Sequence, residues 1–142
     1  MVGGQLLDLE GEGRPLSLLD LERIHRAKTG ALIAASVTLG GLAAAADAPR
    51  LAALERFGGS IGLAFQIADD VLDLTATTDE LGKTAGRDVA LGKSTYPALL
   101  GIDGAIARAD ALVADGCTAL AEAGMLTMGL EALAQFIIAR RS

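Results

Sequence analysis

The sequence predicts an all-α fold, and three observations carry that prediction. Leu, Ala, Glu and Arg, all good helix formers, fill its longer segments. Alternating β-branched runs, the mark of half-buried strands, are scarce. Gly, Pro and Asp gather at a few places and leave long uninterrupted stretches between them. At 142 residues the chain suits a single domain. Its 51% hydrophobic content, with about one residue in five Ala, supplies enough apolar surface for a core and excludes disorder.

The elements follow in order. Gly11-Glu12-Gly13-Arg14-Pro15 is a turn. Ser17 with Asp20 three residues on resembles a capping box, with Asp in place of Glu, and opens a helix expected over residues 17–46. Asp47-Ala48-Pro49 ends it and starts the next, because proline suits a first helical turn. That second helix is expected over residues 49–74, where Gly58, Gly59 and Gly62 allow a neighbour to approach closely. Residues 75–94 are polar, punctuated by glycine and rich in both charge signs, and read as one long loop of the functional kind. Helical pattern returns over residues 95–123, broken near Gly101-Ile102-Asp103-Gly104. A last amphipathic helix is expected over residues 128–140, with Leu130, Leu133, Phe136 and Ile137 on one apolar face. Arg140 and Arg141 complement its C-terminal dipole.

Composition narrows the function. Aromatic residues make up 3% of the chain, there is no Trp, and the net charge is −6. A nucleic-acid partner needs a basic face and stacking rings, so that class is excluded. Residues 29–46 are uncharged and as long as a membrane span. They are mostly Ala, Gly, Ser and Thr, so a small-residue helix buried among other helices is expected instead, with no membrane span. A lone cysteine, Cys117, and a start without a basic, apolar leader point to a cytoplasmic chain. Cys117 has no basic partner in sequence and reads as a small core residue.

The chemistry is concentrated in residues 62–73. On a helix Gln66, Asp69, Asp70 and Asp73 fall within an arc of about 100°. Three carboxylates on one face repel one another unless a cation compensates, and a hard ion such as Mg2+ would do so. A solvated acidic patch is the plainer reading. The flanking Ile61, Leu63, Phe65, Ile67, Val71 and Leu72 argue against it, because carboxylates among apolar residues are costly unless paired or coordinated.

The following loop supplies opposite charge in Gly82-Lys83-Thr84 and Gly92-Lys93-Ser94. A Walker phosphate loop requires a further glycine five residues before each of these glycines, where Thr77 and Arg87 stand. What remains is a cationic clamp on a metal-bound polyphosphate, or a solvated basic loop. Lys28 lies at the edge of the uncharged helix, where a lysine can snorkel to water. His25, a turn earlier, reads as a packed or hydrogen-bonded helix residue and stays outside the expected site.

Five blocks occur in order: Gly3-Gly4-Gln5-x-x-Asp8-Leu9, His25-Arg26-x-Lys28-Thr29-Gly30, Phe65-Gln66-x-x-Asp69-Asp70-x-x-Asp73, Lys83-Thr84-x-Gly86-x-Asp88, and Gly92-Lys93-Ser94-Thr95-Tyr96-Pro97. Together they make the chain resemble the C-terminal half of the trans-polyprenyl diphosphate synthases, nearest the bacterial farnesyl diphosphate synthase (geranyltranstransferase) type. The resemblance runs over essentially all 142 residues. It implies an all-α bundle of the isoprenoid synthase type around a central cavity. It also implies a prenyltransferase that condenses an allylic diphosphate with isopentenyl diphosphate, with Mg2+ as cofactor.

By the same resemblance Asp69, Asp70 and Asp73 form the second Asp-rich motif, the metal site, in which Asp69 binds Mg2+ directly and Asp73 acts largely through water. Lys28, Lys83 and Lys93 hold the allylic diphosphate. Thr29 and Gln66, with Lys28, serve the reacting centre. Gln5 and Asp8 line the cavity, with Asp8 a partner for Lys28. The first Asp-rich motif and the isopentenyl diphosphate site belong to the N-terminal half of the family and have no counterpart in this sequence. Residues 1–142 are therefore expected to be inactive alone, and to form a homo-oligomer or associate with an N-terminal half. Two other readings stay open: a non-catalytic chain that binds Mg2+-diphosphate or complements a separate half, and a purely structural helical module.

Overall fold

A computed structural model describes residues 1–75 and 92–139. Most of the expected loop, with Lys83, Arg87 and Asp88, lies outside the described residues, as do Arg140 and Arg141. Six α-helices and one π-helical turn follow in order among the described residues: α1 (Val2–Gly11), α2 (Leu18–His25), the π turn (Arg26–Gly30), α3 (Ala31–Ala43), α4 (Ala48–Thr75), α5 (Tyr96–Glu122) and α6 (Met128–Ala139). No strand occurs among them, as the sequence predicts.

α1 lies where the sequence pattern assigned no element. It is short and carries three glycines, and packing holds it: a Cβ on Gly4 would run into the backbone of Ala27 and Lys28. The expected cap of α2 forms, with Ser17 Oγ accepting from the Asp20 amide at 3.2 Å and donating to Asp20 Oδ2 at 2.6 Å.

The helix expected over residues 17–46 is not continuous. Lys28 leaves helical geometry (φ −91°, ψ −113°) inside the π turn, and α3 starts only after it. The interruption is fixed from outside, by Gly4 of α1 on one side and Gly62 of α4 on the other. A Cβ on Gly62 would stand 2.7 Å from Gly30 Cα, so α4 and the π turn meet backbone to backbone.

α4 is the centre of the fold. Its 28 residues span about 42 Å, and it packs against the π turn, α3, α5 and α6. Phe57, Ile61, Leu63 and Ile67 are all buried, so the helix is apolar on several faces instead of one. α5 starts at an N-cap, Thr95, whose side chain accepts from the Ala98 amide at 3.4 Å. It breaks at Gly101 (φ 74°), where the sequence pattern placed the break.

Two sequence expectations are corrected. α3 was expected to be buried among helices, yet Leu32, Leu39 and Leu42 are exposed. It packs on α4 and the π turn, and its outer face has no covering helix among the described residues. On α6 the expected face turns inward only in part: Leu130 and Ile137 pack against the core as expected, but Leu133 and Phe136 are exposed, and Ala134 is fully buried with Ile138 partly buried beside it. A small residue at the closest approach lets α6 lie near α4 and α5, and that rotates the two larger side chains outward. Cys117 packs against the core as expected, and burial, aided by Glu131, pushes its thiol up from the ordinary value.

Candidate functional site

The side chains of interest come from α1, the junction of α2 with the π turn, the middle of α4, and the segment leading into α5. Asp8 stands near the end of α1. Its Oδ2 accepts from Lys28 Nζ at 2.7 Å and from Lys93 Nζ at 3.1 Å. Lys93 Nζ also lies 3.3 Å from Glu12 Oε1. The irregular backbone at Lys28 lets the lysine leave the helical path here. Burial pushes the Asp8 carboxyl up, but the hydrogen bonds and charges of the two lysines outweigh it and leave the group below its ordinary value. The Asp8–Lys28 pair expected from the sequence is therefore present, with Lys93 added to it.

A second cluster surrounds Asp70. Its Oδ2 accepts from His25 Nε2 at 3.2 Å and from the Tyr96 amide at 3.0 Å. The His25 and Tyr96 rings stack, with centroids 5.7 Å apart and planes 13° from parallel. Tyr96 Oη donates to Glu22 Oε1 at 2.9 Å, and Arg108 donates to the same oxygen at 2.9 Å. Burial, then the Glu22 contact, pushes the Tyr96 phenol well above its usual value. Burial alone would raise Glu22, yet Arg108 and Tyr96 hold it below the ordinary carboxylate value.

Asp8, Gly11, His25, Asp70, Lys93 and Thr95 line one cleft of about 40 Å³, which joins the two clusters. Asp69 and Asp73 sit one turn apart on α4, Asp69 half-buried and Asp73 buried. Gln66 is buried one turn before, Thr29 is half-buried in the π turn, and Gln5 is exposed on α1. Among the described residues no hydrogen bond joins Gln5, Thr29 or Gln66 to the Asp8 cluster. Lys83 lies outside the described residues.

Three or more His, Cys, Asp or Glu side chains that could hold a metal ion by themselves do not converge anywhere among the described residues. Mg2+, however, commonly takes one or two carboxylates and completes its shell with substrate phosphates and water. The spacing of Asp69 and Asp73 fits that mode, and a closed protein cage is not needed.

Sequence reasoning missed Tyr96, Glu22 and Arg108. Glu22 and His25 are three apart and so share a face of α2, which was the available signal. The reading of His25 as a hydrogen-bonded helix residue holds, but the expectation that it stays outside the site does not, because it lines the cleft and donates to Asp70.

The comparisons with known proteins agree with this picture. A family model described as Polyprenyl synthetase matches residues 1–121. The farnesyl diphosphate synthase of Escherichia coli is 52% identical over 144 residues, covering 99% of this chain and 48% of that protein. A polyprenyl synthase of Caulobacter crescentus, solved with calcium and isoprenyl diphosphate, superposes with a TM-score of 0.90 at 29% identity, covering 99% of this chain and 56% of that one. A geranyltransferase of Helicobacter pylori, solved with magnesium and isoprenyl diphosphate, gives 0.76 at 32% identity, covering 98% and 45%. The chain thus spans about half the length of the curated relatives it matches. No described helix is long and apolar enough to cross a membrane. The bundle is that of the isoprenyl synthases, the family model covers most of the sequence, and the chain belongs to the polyprenyl synthetase family.

Proposed function

We propose that this chain is the C-terminal half of a prenyl-elongating transferase and carries its diphosphate-releasing machinery. The observation that supports it best is the pair of lysines from separate elements, Lys28 and Lys93, gathered on one carboxylate in the cleft that Asp70 also lines. Two ammonium groups gathered on Asp8, with Glu12 also beside Lys93, form a preassembled anion site, and a diphosphate with more negative charge displaces the carboxylates from them.

In the reaction, the carbon–oxygen bond of the allylic diphosphate breaks and its electron pair leaves with the diphosphate. The double bond of isopentenyl diphosphate attacks the allylic carbon, a proton is lost, and the product is longer by one C5 unit. Lys28 and Lys93, together with Lys83 of the adjoining segment, stabilise negative charge that grows on the departing group. The oxygens of Thr29 and Gln66 stabilise the positive charge left behind, and Gln5 and Asp8 shape the site. Asp69 and Asp73 of the Asp-rich turn are the acidic side that receives Mg2+. Mg2+ supplies Lewis-acid neutralisation of the diphosphate when bound.

Calorimetry on this chain with Mg2+ and inorganic pyrophosphate tests the reading. Pyrophosphate is expected to bind, more tightly with Mg2+ present, and Lys28→Ala and Lys93→Ala are each expected to weaken it about tenfold. An Asp69→Ala, Asp73→Ala variant that binds as the parent does would count against it.

A second reading is favoured by the bare apolar faces of α1 (Val2, Leu6, Leu9) and α3 (Leu32, Leu39, Leu42). On it the chain is non-catalytic alone and pairs through those faces with a second copy or with a polypeptide equivalent to the other half of its relatives. Prenyl transfer that appears only on mixing the two polypeptides supports this one.

A further inference from the structure

The three aspartates of α4 stand in one motif, and Asp70 has one of its two carboxylate oxygens committed to holding helices together. Its Oδ2 accepts two N–H groups at ordinary hydrogen-bond distances, from His25 Nε2 at the end of α2 and from the Tyr96 amide at the start of α5. A carboxylate oxygen has two lone pairs, and these two donors use them. The surroundings are closed, with His25 and Asp70 8% and 7% exposed. The Tyr96 amide is one of the opening N–H groups of α5 that no carbonyl of its own helix can satisfy. A carboxylate at that place also suits the positive end of the helix dipole.

We propose that Asp70 is a positioning residue and not a metal ligand. It pins α4 to α2 and α5 through one oxygen and so fixes the rotation of α4 about its axis. Asp69 and Asp73 lie about 100° and 60° round the helix from Asp70, both on the same side of it, and a fixed rotation sets where both of them point. The stacked His25 and Tyr96 rings brace the two donors, and the Tyr96 hydroxyl, held by Glu22, anchors the far end of that ring. The part of this inference that concerns metal rests on the function proposed above, whereas the pin itself does not.

The test separates charge from hydrogen bonding. Asp70→Asn removes the charge and keeps an oxygen that accepts both N–H groups; Asp70→Ala removes both. His25→Gln keeps a donor where Nε2 stands, and His25→Ala does not. Each variant of the full chain is titrated with Mg2+ and inorganic pyrophosphate by calorimetry, and hydrogen exchange of the Tyr96 amide is followed by NMR without metal. Asp70→Asn and His25→Gln are expected to stay within about threefold of the parent in affinity. Asp70→Ala and His25→Ala are expected to lose about tenfold or more, as is Asp69→Asn. Protection of the Tyr96 amide is expected to survive Asp70→Asn and to fall at least tenfold in Asp70→Ala.

Asp70→Asn binding as weakly as Asp69→Asn, with Tyr96 still protected, would overturn the proposal and make Asp70 a ligand. Where Asp70→Ala fails to fold, Asp70→Asn and the His25 pair decide alone. A parent chain that binds no Mg2+-pyrophosphate removes the function proposed above, and the Tyr96 amide then decides the pin: unchanged protection in Asp70→Ala refutes it.

Discussion

Replacing Gly62 by Ala puts one methyl group at the point where α4 meets the π turn. The new Cβ would stand 2.7 Å from Gly30 Cα and 3.0 Å from Gly30 O. Carbon atoms in good contact are about 3.5–4.0 Å apart, so the two backbones must separate by about 1 Å. Neither neighbour is a flexible side chain that can turn aside. Overpacking of this kind costs about 1–3 kcal/mol, against a gain of up to about 1 kcal/mol from replacing a helical glycine. The net loss is about 1–2 kcal/mol, or a Tm lower by roughly 3–8 °C for a chain of this size. Gly40→Ala is the control, because nothing lies within 4 Å of a Cβ there and α3 is helical. It is expected to raise Tm by about 3 °C. Differential scanning calorimetry on both variants decides. A Gly62→Ala chain at least as stable as Gly40→Ala would refute the argument that this close approach holds the π turn in place.

Further expectations concern charge and surface. Asp8 titrates below its ordinary value in the folded chain, so its stabilisation is present above the unfolded carboxyl value of about 3.9 and is lost as pH falls through the depressed one. The Tm difference between the parent and Asp8→Asn is therefore expected to be flat above about pH 5 and to shrink in more acid solution; a constant difference down to pH 2 contradicts it. Tyr96 is the single tyrosine, so ultraviolet titration reads it directly. No phenolate is expected near pH 10 while the chain is folded, and ionisation at the ordinary value would show that the Glu22 contact and burial do not hold in solution. Leu39→Glu changes a side chain that is 63% exposed on α3. It is expected to leave Tm within about 1 °C while reducing any self-association seen by light scattering, and equal association in the variant would place the contact elsewhere.

What the sequence made legible was set by local chemistry. The Ser17 cap, the start of α4 near Pro49 and the break at Gly101 each follow from one or two residues whose backbone preferences act where they stand. What it hid was set from a distance. Residues 26–30 read as ordinary helix, and their π geometry comes from Gly4 and Gly62, which are remote in sequence and remarkable only for lacking a side chain. The inner face of α6 was misjudged in part for a similar reason: the hydrophobic pattern ranked Leu133 and Phe136 inward, but closeness of approach selected Ala134.

The site shows the same division. The resemblance paired Asp8 with Lys28, and that pair forms; Lys93, read as part of a cationic clamp, joins the same carboxylate. Within the Asp-rich turn the resemblance separated Asp69 from Asp73 but gave Asp70 no role of its own, since a helical wheel gives the three one shared face and no neighbours. Neighbours make the distinction. His25 and Tyr96, from helices on either side, converge on a single oxygen of Asp70. A residue motif specifies which chemistry a helix can offer, and the elements packed against it assign that chemistry among its members. If Asp70 spends its hydrogen bonds on holding α4 in place, the identity of residue 25 matters to metal affinity through a residue that never meets the metal, and substitution at His25 is the place where that dependence becomes measurable.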